Sequence, residues 1–157
     1  MVPTETLEFL RAEPREVVER MAAMAAEHRG WINLRPLVHE DEHAAVRPPG
    51  LFGVFGGSGP PVPLCTWTPG EVRRRGVEPA SVGVQHAAGP KVVRRLAELG
   101  APPVPDGWLV VQDHPKRGLV VRPATGVAPE AVLSWLLGVG EALCLPPVSG
   151  WWTAAVY

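Results

Sequence analysis

The 157-residue sequence predicts an α+β fold: an antiparallel or mixed sheet of about five to seven strands, packed by an N-terminal helix, a middle helix and a long apolar C-terminal helix. Three observations lead there. Short apolar runs of period two are interspersed with segments of helical spacing. Trp108–Asp113 and Gly118–Arg122 flank His114-Pro-Lys-Arg117, a polar turn of the kind that joins hairpin strands. Gly (17 residues) and Pro (19 residues) punctuate the chain without forming a linker, so a single domain spans residues 1–157.

The opening stretch reads as a helix broken at Pro14, with Leu7 and Leu10 on one face before it. Beyond it Val17, Val18, Met21, Met24 and Ala25 recur at helical spacing, His28 and Arg29 complement the dipole, and Gly30 supplies the stop. From Trp31 the period becomes two, with Ile32, Leu34 and Val38 on one side, before the Pro-bounded acidic stretch His39–Gly50. Apolar runs Leu51–Phe55 and Val62–Trp67 flank a Gly/Pro loop and read as two further strands. Thr68-Pro-Gly-Glu71 has the form of a capping box, which predicts one or two helical turns through Arg75. Ser81–His86 is a short strand, and Gly89-Pro90-Lys91 opens a helix whose Val92, Val93, Leu96 and Leu99 line one face up to Gly100. After the hairpin, Pro129 opens a helix reaching about Cys144 and apolar on most sides, which demands burial on more than one face. Gly138 and Gly140 each weaken it by about 1 kcal/mol relative to Ala, so close approach by another element is the reason they fit. Trp151–Tyr157 is a final strand or docked tail. The element order is similar to the secretion-chaperone-like fold, which implies a small dimeric protein binder; the strand Ser81–His86 departs from that pattern, and the similarity assigns no site residue.

Charge excludes some functions. Lys+Arg number 15 against 16 Asp+Glu, a formal net charge of −1, whereas a nucleic-acid binder needs a clear basic excess. Hydrophobic content of 46% with balanced charge excludes disorder. The start of the chain carries acids where a signal peptide has a basic region, and the near-apolar stretch Ala131–Gly140 is half the length of a bilayer crossing. Cys65 and Cys144 read as apolar thiols in a reducing cytoplasm. The Arg, Ala, Gly and Pro bias, with Lys91 and Lys116 the only lysines, suits a GC-rich bacterial genome.

Four constellations could carry function. His39-Glu40-Asp41-Glu42-His43 is a His-Glu-x-x-His pattern: on a helix it places two imidazoles on one face for zinc, with Glu40 as general base for a metal-bound water. These five residues resemble the zinc metallopeptidase motif; the competing expectation is a solvated acidic loop. His86 and Lys91 stand at a strand-to-helix turn whose free amides suit an anion, and His114 with Arg117 marks the hairpin tip. If these face one cleft they form an anion pocket; otherwise they are turn residues. Trp151 and Trp152 alternate, so in a strand one of them faces outward or meets a partner. The leading expectation is a non-catalytic cytoplasmic module, without cofactor, that binds a protein, a second copy of itself or a small anionic ligand. A minimal zinc hydrolase and a phosphate-type anion binder are the alternatives.

Overall fold

Most strands of the main sheet alternate buried and less buried side chains, and one face of that sheet collects the apolar set. The computed structural model describes residues 1–39 and 59–157. Its strands are β1 (Glu5–Leu10), β2 (Ile32–Pro36), β3 (Leu64–Thr68), β4 (Val72–Arg73), β5 (Gly76–Val77), β6 (Ser81–Gln85), β7 (Leu109–His114), β8 (Gly118–Arg122) and β9 (Trp151–Val156). Among the described residues two α-helices accompany them, α1 (Arg15–Glu27) and α2 (Pro129–Ala142). The main sheet runs β1-β9-β2-β3-β6-β8-β7 with each pairing antiparallel, and β4 with β5 forms a separate hairpin.

The buried face carries Phe9, Ile32, Leu34, Cys65, Trp67, Val82, Val84, Leu119, Val121 and Trp152. Against it pack Val17, Met21 and Met24 of α1 and Leu133, Leu136, Leu137 and Val139 of α2. Each such aliphatic side chain contributes about 1.5–3 kcal/mol by leaving water. Gly140 lets α2 press on the sheet: a Cβ there would stand 2.6 Å from Trp152 Cη2 and 2.9 Å from Cys65 Sγ. The reason expected for that glycine therefore holds. The opposite face presents short or polar side chains, among them Asn33, Thr66, Thr68, Ser81, Gly83 and Thr153, and no helix among the described residues packs on it.

Several local expectations are corrected. Leu7 and Leu10 belong to a strand, because Glu5, Leu7 and Phe9 alternate and β1 pairs along its length with β9. Thr68–Arg75 is not helical: Gly70 takes φ +84° against the Glu78 carbonyl, Glu78 donates its amide to the Glu71 carbonyl, and the β4–β5 hairpin follows. The middle helix shrinks to a 3₁₀ turn, Val92–Arg95, entered through Lys91 at φ 54°. The helix near the C-terminus ends at Ala142 and is followed by β9, so the chain's last element is a strand inside the sheet. The first and middle elements thus differ from the secretion-chaperone-like order. Leu51–Phe55 lies outside the described residues.

Candidate functional site

His86, Lys91, His114 and Arg117 do gather at one end of the sheet, where β6 ends, β7 ends and β8 begins. His86 is fully buried, and its Nδ1 accepts the Ala88 amide at 3.0 Å. The neutral ring therefore carries its proton on Nε2, which has no hydrogen-bond partner among the described residues. Burial lowers the His86 pKa from 6.5, with Asp113 opposing and Arg95 reinforcing the shift. The free amides expected to hold an anion already hold one: Asp113 accepts from Val92 at 3.1 Å and from Val93 at 3.0 Å. Arg95 donates to the carbonyls of Ala88 (2.6 Å) and Pro90 (3.3 Å), fastening the same loop. His114 Nδ1 accepts the amides of Lys116 (3.1 Å) and Arg117 (3.2 Å) and so closes the hairpin turn. These residues come together, but His86 Nδ1 and His114 Nδ1 each close a local turn, and it is Asp113 that ties the 86–95 loop to the β7–β8 hairpin.

The tryptophans separate as alternation requires. Trp152 is core rather than surface, with its Nε1 donating to Glu141 at 3.3 Å, while Trp151 is 44% exposed. Both edges of β9 are paired, by β1 and β2, so the tail offers one indole and no strand edge. His39 is exposed; Glu40 and His43 lie outside the described residues. Among the described residues no group of three or more His, Cys, Asp or Glu side chains is placed to hold a metal.

A cleft of about 270 Å³ opens on the uncovered face, between the β4–β5 hairpin and the β6–β8–β7 strands. Thr68 and Ser81 are cross-strand partners whose hydroxyls meet at 2.8 Å; each hydroxyl has one proton and their mutual bond uses one, leaving a donor. Val111 and Val120 supply an apolar side. Arg73 is matched by Glu71 at 3.2 Å and Glu78 at 3.3 Å, an exposed network worth little to stability. Arg122, which also lines the cleft, has no carboxylate within ion-pair distance among the described residues.

The sequence places Arg122 at the end of a hairpin strand and assigns it no role in the cleft. Thr68 reads locally as a helix cap and Ser81 as the start of a strand. Their outward alternation is the signal that could have joined them, once β3 and β6 are known to pair. No helix among the described residues is long and apolar enough to cross a membrane. Neither a protein family, nor a curated protein, nor a solved structure matches this chain.

Proposed function

We propose that this chain is a ligand-binding module whose site is the cleft beside the β4–β5 hairpin, and that its ligand presents a carboxylate. Arg122 carries this proposal: a guanidinium with no carboxylate partner among the described residues, beside a hydroxyl pair and a valine wall, in a cleft whose other arginine is already neutralised. A guanidinium with hydroxyl donors recognises a carboxylate in a charge-assisted, directional way. Val111 and Val120 favour a ligand with a short apolar portion next to the acid. The module is read as a cytoplasmic one, supported by its two free thiols; burial lifts Cys65 to about 12, with Cys144 adding, and Cys144 to about 11, with Glu141 adding.

The test is an amide-resolved NMR titration with succinate and, separately, inorganic phosphate. Succinate should move the amides of Thr68, Ser81, Val120 and Arg122, and Arg122→Gln should weaken it at least about tenfold, which is about 1.4 kcal/mol. Binding that survives in Arg122→Gln, or shifts confined to other surfaces, would overturn the assignment. The zinc hydrolase alternative needs Glu40 and His43. One zinc per chain in untagged protein, lost in His39→Ala, would rank it above the module and make peptide or amide hydrolysis the next assay.

A further inference from the structure

We propose that β7 pairs antiparallel with β7 of a second copy of this chain, about a two-fold axis near Val110 and Val111, joining two sheets into one.

The two edges of the sheet are not alike. β1 turns Leu7 and Phe9 toward the core and shows Thr6 and Glu8 to water, with Glu5 paired to Arg20. Charged side chains on an edge keep other strands from adding to it. Among the described residues β7 is the other edge, paired only with β8, and it exposes three apolar residues in succession: Leu109 at 59%, Val110 at 37% and Val111 at 47%. No charged side chain appears in it before Asp113. A register shift between Val110 and Gln112 bends the strand, yet it leaves Val111 half exposed rather than guarding the edge.

Charge placement chooses both the partner and the direction. Asp106 lies just before β7, and Lys116 and Arg117 just after it; all three are exposed. At roughly 3.4 Å per residue, Asp106 and Lys116 sit about 15 and 19 Å to either side of the axis. Antiparallel pairing sets Asp106 of each copy beside the Lys116–Arg117 turn of the other, whereas parallel pairing opposes like charges. The same apolar strip meets itself, as an isologous two-fold contact requires.

The experiment is sedimentation velocity on the full chain from about 1 to about 500 μM. The wild type should move toward twice the 16.8 kDa chain mass as concentration rises. Val111→Lys should remain monomeric. Asp106→Lys should raise the dissociation constant about tenfold by opposing like charges, and adding Lys116→Glu and Arg117→Glu should restore it. The charge-reversal set lies on exposed turns outside the cleft, so its outcome is independent of ligand binding there. A monomer at every concentration would overturn the proposal and leave the edge to a strand from another protein. So would a dimer indifferent to both Val111→Lys and Asp106→Lys.

Discussion

Gly140→Ala sets two opposed terms against each other. In an exposed helix, replacing Gly by Ala gains about 1 kcal/mol, because the glycine backbone loses more freedom on folding. Here the added Cβ would stand 2.6 Å from Trp152 Cη2 and 2.9 Å from Cys65 Sγ. Both neighbours are fully buried, so neither can swing into solvent, and α2 must back away from the sheet or the indole must leave its rotamer. Overpacking of that kind costs about 1–3 kcal/mol. The balance is a net loss of about 1 kcal/mol, or about 2–4 °C in Tm for a chain of this size. Urea unfolding and thermal melts followed by circular dichroism would measure it, with exposed Ser134→Ala as a control that shows helix propensity alone. Cys65→Ala combined with Gly140→Ala should recover about 0.5 kcal/mol of the loss through coupling, a partial recovery because the indole is the nearer neighbour. A Gly140→Ala protein more stable than wild type would refute the close approach of α2 to the sheet.

Two further substitutions probe the loop that β7 holds. His86 has a lowered native pKa, so below about 6.5 the unfolded chain takes up a proton that the native state resists. Stability from this group is therefore full above that pH and declines as pH falls below it, toward the lowered native value. Melts at steps from about pH 7.5 to about 5.5 should show the decline, and His86→Leu should flatten it; an unchanged slope would remove His86 as its source. Asp113→Ala strips the carboxylate from the Val92 and Val93 amides and should cost about 2 kcal/mol, with faster hydrogen exchange confined to residues 86–96. Protection equal to wild type across that loop would show that Asp113 does not hold it.

Local pattern was enough wherever a segment and its partner are neighbours in the chain. β7 and β8 are joined by a short turn, and α1 repeats Val17, Met21 and Met24 along one face, so alternation and helical spacing placed them. It failed where a distant partner decides. Leu7 and Leu10 have helical spacing while Leu7 and Phe9 alternate as in a strand, and so short a run carries both patterns; β9, distant in the chain, settles the choice by pairing Phe9 with Trp152. That register also decides which of the two adjacent tryptophans is buried. Thr68-Pro-Gly-Glu71 carries the local marks of a helix start, but Gly70 is there to pass the Glu78 carbonyl at positive φ. The cleft residues were illegible for the same reason: Thr68, Ser81 and Arg122 become neighbours only through the β3–β6–β8 pairings. Asp113 and the amides it accepts are likewise distant in the chain, and the anion site expected from the turn was filled by the protein itself.

The uncovered face has its own logic. A sheet face that merely meets water is commonly furnished with long charged side chains. Here the central strands present Gly83 and two bonded pairs, Thr66 with Asn33 and Thr68 with Ser81, each at 2.8 Å. Short, mutually bonded side chains leave a firm surface that another molecule can approach closely. Gly83 is the sharpest case, since a glycine weakens a strand interior by about 0.5–1 kcal/mol. It has negative or extended φ, and a Cβ there would find only the Leu119 carbonyl, at 3.8 Å. Backbone geometry therefore does not require it. Gly83→Thr, flanked by Thr66 and Val120 across the pairings, should raise stability by about 0.5–1 kcal/mol, or about 2–3 °C in Tm. A gain would mean that the glycine keeps this face low for something outside the fold. A loss would mean that the face is constrained from within, and it would remove close approach as the reason for its short side chains.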